Sequence, residues 1–154
     1  MAKNHLIIGK EKGEFGDYHG AIEEFTKAIQ SNPNFPAAYF SRAIVKEALG
    51  DKYGAISDYT DAIRLNKTFI DGCNALEKHN NDLGNRQGSL ANHDAVDQFS
   101  SNLAGAYFNR GLLNHETGNK SAGLEDLQRT AAILKVQGEN DLLKNVLKYI
   151  DYFS

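Results

Sequence analysis

Residues 49–63 read Leu-Gly-Asp-Lys-Tyr-Gly-Ala-Ile-Ser-Asp-Tyr-Thr-Asp-Ala-Ile, and related stretches occur once before them and twice after them. The glycine in the second position recurs at a constant spacing of 34 residues, at Gly16, Gly50, Gly84 and Gly118. A fixed period of this length is typical of stacked repeat units and not of a single sheet or bundle. The pattern therefore predicts four similar units in series.

Each period predicts two helices joined by a tight turn. Glycine suits the position just past a helix end, because the backbone there often adopts a left-handed conformation. The next residue is Asp or Asn in all four copies, and its side chain can accept hydrogen bonds from the amide groups that open the second helix. Apolar or small residues then recur on one helical face, in the first unit at Ala21, Ile22, Phe25, Ala28 and Ile29. The chain is thus predicted to be one all-α domain with units 2–35, 36–69, 70–103 and 104–137 and a capping helix at 139–153.

The third unit is degenerate. Its first helix contains Gly72 and the run 79–82, all weak helix formers, and Glu77 stands where the other units have Gly or Ala. In the first unit, Asn32 and Pro33 predict the end of the second helix, and Asn66 matches Asn32 one period later. We therefore expect a helix end near Asn66 and easy local opening in the third unit.

Composition excludes several classes of protein. The formal net charge is −3 and the calculated pI is about 5.9, which gives no general attraction to nucleic acid. Cys73 is the single cysteine, so an intrachain disulfide cannot form. No apolar stretch approaches the ~18 residues of a membrane span, and no signal peptide is evident. A cytoplasmic protein is the expectation.

The units resemble the tetratricopeptide repeat, whose 34-residue hairpin has an aromatic at position 4, small residues at positions 8, 20 and 27, and an aromatic at position 24. Position 4 holds His5, Tyr39, Cys73 and Tyr107, and position 8 holds Gly9, Ala43, Glu77 and Gly111. The Tyr-Phe-x-Arg-small segments ending at Ala43 and Gly111 look like a bacterial, often cyanobacterial, type. The resemblance implies a right-handed α-α superhelix of four hairpins.

The resemblance also implies a protein–protein interaction role, in which the first helices line a concave groove that binds a peptide or helix of a partner. The groove residues carried over from the family pattern are Lys10, Phe40, Ser41, Ile44, Asn74, Lys78, Phe108, Asn109 and Leu112. Phe40 and Phe108 are candidate anchors, because buried aromatic residues tend to dominate binding energy. The alternative is that both rings pack on neighbouring helices.

One subtype of the family clamps the terminal carboxylates of chaperone tails with lysine, asparagine and arginine side chains. Counted from the first unit, the clamp positions hold Leu6, Lys10, Ser41, Asp71 and Ala75. Counted from the second, they hold Phe40, Ile44, Ala75, Gly105 and Asn109. Neither set can form the clamp, so this subtype is not expected.

Catalysis is not expected either. None of the five histidines belongs to an HExxH motif or to a His/Cys cluster with zinc spacing, and the glycines follow the repeat period and not a phosphate-binding loop. We expect no metal and no cofactor, and Cys73 is predicted to fill the core. Besides an adaptor, the sequence allows a self-associating module that forms a homodimer through the third unit or the terminal helix.

Overall fold

The computed structural model describes the backbone of residues 1–154 and every side chain except that of Ser89. The described residues form seven α-helices and no strand: α1 (Ala2–Glu14), α2 (Tyr18–Ser31), α3 (Pro36–Ala48), α4 (Lys52–Asp82), α5 (Arg86–Glu116), α6 (Lys120–Gln137) and α7 (Asn140–Phe153). Each helix packs on the next in sequence. The predicted all-α repeat fold is confirmed.

The 34-residue period marks a recurrent turn. Gly16, Gly50, Gly84 and Gly118 all have positive φ, between 69° and 94°, a backbone conformation that disfavours any residue with a side chain. After the first three of these glycines, the next residue accepts a hydrogen bond through its side chain from the backbone N–H three residues on, as Asp17 does from Gly20 at 3.0 Å. A glycine with positive φ therefore reverses the chain four times, and a side-chain cap opens the next helix at the first three turns.

The joints between units are not alike. The first is a loop, because Asn32 ends α2, Pro33 follows it, and Pro36 opens α3. At the second and third joints the helix continues, so α4 and α5 each run for 31 residues. The prediction of a helix end near Asn66 is wrong. No proline interrupts either joint, and Asn66 donates from Nδ2 to the carbonyl oxygen of Ala62 inside the helix, at 2.9 Å.

The continuous helices change which units touch. Arg42 of the second unit donates from Nη1 to Thr26 of the first, at 3.1 Å. Arg110 of the fourth unit donates in the same way to Thr60 of the second, also at 3.1 Å. The two residues of a pair are 16 positions apart in the first case (42 and 26) and 50 positions apart in the second (110 and 60). These separations differ by one 34-residue period. The fourth unit therefore packs on the second as the second packs on the first.

The third unit projects from this stack as a helical hairpin, here called the arm (residues 67–102); the rest of the chain is called the body. Among arm residues with described side chains, only Asn80 and Asn92 are buried. Nε2 of His93 lies 2.6 Å from a carboxylate oxygen of Glu77 across the hairpin, and near the body the rings of Phe69 and Phe99 stack with centroids 5.2 Å apart. The arm is thus a short antiparallel pair with a mostly polar interior.

Side-chain chemistry explains why the fourth unit takes the place next to the second. Tyr107 shares an apolar cluster with Tyr59 and Ile63 of the second unit, and Arg110 donates to Thr60. Gly111 allows the close crossing of α5 on α6 that holds the fourth unit together. The matching residues of the third unit are Cys73, Leu76 and Glu77, which supply none of these. Packing Glu77 at a tight crossing would bury a charge, which costs several kcal/mol.

We predict that the arm opens before the body does. Because it buries little apolar surface, its amide hydrogens in residues 70–83 should exchange faster than those in residues 36–49, by at least roughly tenfold. Hydrogen exchange followed by mass spectrometry measures both segments in one sample. Equal protection of the two segments would contradict the prediction.

Candidate functional site

A cavity of about 900 Å³ lies between α5, α6 and α7. Its walls are mainly apolar, with charged groups at Glu139 and Lys148. The lining residues are Ser101, Ala104, Gly105, Phe108, Thr130, Leu134, Gln137, Glu139, Leu142, Asn145, Val146, Lys148, Tyr149 and Tyr152. A concave apolar surface with a few polar groups is the usual form of a site for a ligand or a partner side chain.

Two glycines set the distance between α5 and α6. A Cβ added to Gly123 would lie 2.7 Å from the backbone oxygen of Gly111, and one added to Gly111 would lie 3.0 Å from the backbone oxygen of Gly123. The helix backbones therefore cross in direct contact, which only residues without side chains allow. This crossing fixes the wall formed by α5 relative to the wall formed by α6.

The third wall, α7, is held by aromatic contacts. Tyr149 packs edge-to-face on Phe108 with ring centroids 5.6 Å apart, and Phe153 stacks on His115 at 3.7 Å. Val146 is buried against Leu127 and Leu134. The rim of the cavity stays open, because Leu142 is 53% exposed and Tyr149 41% exposed.

Two of the residues predicted for the groove lie within or beside this site, and a third, Asn109, lies on the same helix and contacts α4. Phe108 lines the cavity and also packs in its wall, while Leu112 lies in the same apolar cluster. Asn109 donates to the hydroxyl of Tyr59 at 3.2 Å, and that hydroxyl donates to Glu47 at 3.0 Å. Burial raises the pKa of Tyr59, so the hydroxyl stays protonated and holds Asn109 at the contact between α5 and α4.

Four further predicted residues lie on α1 and α3. Phe40 is half-buried and packs edge-to-face on Tyr59, at 5.6 Å. Gly105 lines the cavity, and a Cβ on it would lie 3.8 Å from the ring of Phe40. This ring therefore packs against the helix that forms one wall of the cavity. The other three are the exposed Lys10 and Ile44 and the half-buried Ser41.

Asn74 and Lys78 are not brought together with the others. Both are exposed and lie on the arm, in the half of α4 beyond the body. At about 1.5 Å per residue, Asn74 lies roughly 13 Å along the helix from Leu65, the last core residue of α4 in the body. The groove lining implied by the third unit is thus replaced by that of the fourth.

Sequence reasoning treated α7 only as a cover and missed its part in the cavity. The signal was present, because one further period of 34 residues carries the groove positions of the fourth unit onto α7 and its N-cap. Gly105, Phe108, Leu112 and His115 map onto Glu139, Leu142, Val146 and Tyr149, all of which line the cavity. In its packing, α7 therefore acts as the first helix of a fifth unit.

Residues 2–35 match the family model of the tetratricopeptide repeat. The match covers the first of the four units. The matched segment includes α1 and α2, and in α1 Gly9 leaves room for an aromatic ring of α2. A Cβ on Gly9 would lie 2.5 Å from the ring of Phe25, which shows how tightly this ring fills the space between the two helices.

Solved tetratricopeptide domains share the fold over nearly the whole chain. The TPR2B domain of yeast Sti1, solved as a complex with an Hsp70 peptide, is 16% identical with a TM-score of 0.68, over 99% of this chain and 94% of that one. The first TPR domain of Spaghetti (RPAP3), bound to the HSP90 peptide SRMEEVD, is 18% identical with a TM-score of 0.61, over 97% and 93%. A comparison with curated protein sequences finds no match.

Two other features are absent from the part of the chain that the structure describes. None of its helices has both the length and the apolar character required to cross a bilayer. The same residues contain no group of three or more His, Cys, Asp and Glu side chains arranged to hold a metal ion.

Proposed function

We propose that this chain is a non-catalytic adaptor that holds an apolar segment of a partner protein in the cavity between α5, α6 and α7. The observation that carries the proposal is the cavity itself, about 900 Å³ in volume, with an open apolar rim at Leu142 and Tyr149. Large side chains desolvated in such a pocket supply most of the energy of a typical protein interface. Partner binding, and not chemistry, is therefore the proposed role.

The fold supports the same proposal, since both similar solved domains hold peptides of other proteins. The carboxylate clamp of the chaperone-binding subtype is absent from this chain in a third counting as well. With the first, second and fourth units as neighbours, the clamp positions hold Leu6, Lys10, Ser41, Gly105 and Asn109. One cation among five positions favours an apolar segment over an acidic chain terminus.

The finer predictions from the sequence are kept as part of the proposal. The chain is a single domain of four units, with the third projecting as the arm, and its groove extends from the cavity toward Phe40, Ile44 and Lys10. The repeat is of bacterial type, and the protein is located in the cytoplasm. Self-association through the same apolar rim is the alternative, and the test below distinguishes it.

Leu142→Asp is expected to weaken the binding of peptides selected on the wild-type chain from a random display library. A carboxylate at the rim would have to lose its hydration beside the bound side chain. The expected loss is at least tenfold in Kd, roughly 1.4 kcal/mol, measured by fluorescence anisotropy with labelled peptides. Because Leu142 is half exposed, the fold should survive, which circular dichroism checks.

Leu147→Asp is the matched control. Leu147 lies on the same helix and is 46% exposed, close to the 53% of Leu142, but it does not line the cavity. Its replacement should leave peptide binding within about twofold of wild type. Equal effects of the two variants would refute the proposed site, and light scattering that shows a dimer broken only by Leu142→Asp would favour self-association.

A further inference from the structure

The wall of the cavity formed by α5 continues onto the arm. Ser101, Ala104, Gly105 and Phe108 line the cavity along one face of this helix. Since each residue turns the helix by about 100°, Asp97, Asp94 and Leu90 lie within roughly 40° of Ser101 on that same face. The three extend from the cavity for about 16 Å, at about 1.5 Å per residue.

This face points away from α4. The side of α5 that packs on α4 carries Asn92, Phe99 and Leu103, which lie on the opposite side of the helix from Ser101. At the edge of the cavity, the side chain of Gln137 donates to the backbone oxygen of Asp97 and to the hydroxyl of Ser101, at 3.2 and 3.1 Å. The helix α6 ends at Gln137, so the face beyond it is exposed.

The exposed face, here called the acidic lane (Leu90, Asp94 and Asp97), carries two carboxylates. Among the described side chains, neither Asp94 nor Asp97 forms a salt bridge, whereas the carboxylates of Asp58 and Asp126 in the body each have an arginine. Leu90 is 66% exposed at the outer end of the lane. An apolar cavity thus leads directly into an unpaired acidic strip that ends in an apolar residue.

We propose that the partner segment is a basic amphipathic helix, with apolar side chains in the cavity and Lys or Arg residues against Asp97 and Asp94. This inference rests on the proposed function and adds the chemistry of the partner. Charge complementarity argues for it, because a cationic helix would pair both carboxylates, while an acidic one would bring like charges together. A helix fits the length, since one straight rod can follow the cavity wall and the lane along α5.

The test uses the peptides selected above, each made in two forms that carry either Lys or Glu in the positions following the apolar residues. The wild-type chain should bind the Lys form about tenfold more tightly at low salt, and the preference should shrink at high salt because exposed charges are screened. Asp94→Lys with Asp97→Lys should reverse the preference. Asp71→Lys with Asp82→Lys, two exposed carboxylates on the α4 side of the arm, should not.

The outcomes separate this inference from the proposed function. If Leu142→Asp weakens both forms but Lys and Glu forms bind equally, the basic helix is refuted and the adaptor role stands. If binding does not depend on Leu142, the proposed function itself fails. Circular dichroism should show helix formed in the peptide on binding, and equal affinity for a form with a central proline would refute a helical partner.

Discussion

Replacing Asp126 with alanine is expected to lower the free energy of unfolding by about 3–5 kcal/mol, because it leaves a largely buried guanidinium without its partner. Arg110 donates to both carboxylate oxygens of Asp126, at 2.7 and 2.8 Å, and the aspartate side chain is only 3% exposed. In the wild type these hydrogen bonds raise the pKa of Arg110. Without them the guanidinium still keeps its charge, because an arginine side chain is effectively always protonated. Urea unfolding followed by circular dichroism measures the change.

Asp61→Ala serves as the control for Asp126→Ala. Asp61 also lies beside an arginine, Arg64 at 3.5 Å, but its side chain is 39% exposed. Exposed pairs contribute about 0–1 kcal/mol, so the two variants should differ by at least roughly 2 kcal/mol. Adding Arg110→Met to Asp126→Ala should restore part of the loss, since the charge is then gone; no restoration would mean that Asp126 acts through some other contact.

The repeat fold could be predicted from the sequence because its turns are coded locally. Each turn contains one glycine with positive φ, and the first three also have a short polar side chain that caps the next helix; both features follow from the identity of the residue. The inward faces of the helices follow from apolar spacing alone. Phe25, Ala28 and Tyr59, all assigned to the interior, are at most 1% exposed.

The arm could not be predicted by considering each unit separately. Glu77 and Cys73 marked the third unit as weak, but its exclusion is the result of a competition between two units for the flank of the second. Tyr107 and Arg110 of the fourth unit make this contact, and Gly111 allows α5 and α6 of that unit to cross closely; only a comparison between the units reveals the difference. Continuous helices at the two joints then follow, because the chain must leave the body and return beside itself.

The cavity was missed for a related reason. Its walls come from residues up to 51 positions apart, from Ser101 to Tyr152, and α7 lacks the glycine turn and second helix by which the units were recognised. The predicted anchors Phe40 and Phe108 lie on α3 and α5, the first helices of the second and fourth units. Their rings, however, pack on Tyr59 and Tyr149, so the open rim belongs to Leu142 and Tyr149 instead.

Gly111→Glu gives the fourth unit the residue that the third unit has at the matching position. We expect it to lower the free energy of unfolding by about 5 kcal/mol or more and to disrupt the packing of α5 on α6. A Cβ at this position would already lie 3.1 Å from the Cβ of Asp126. A longer side chain therefore has no space, and its carboxylate would be cut off from water. Gly111→Ala should cost less, about 1–3 kcal/mol, because the backbones need to separate only by tenths of an ångström. Urea unfolding gives both values, and peptide binding at the cavity should be lost with the glutamate.

Glu77→Ala is the opposite change, made on the arm. Glu77 pairs with the largely exposed His93, so its removal should change stability by no more than about 1 kcal/mol. The contrast between the two sites tests why one unit is packed and the other projects. If Gly111→Glu were tolerated as well as Glu77→Ala, the close crossing of Gly111 and Gly123 would not be what holds the fourth unit in the stack, and another contact would have to exclude the third.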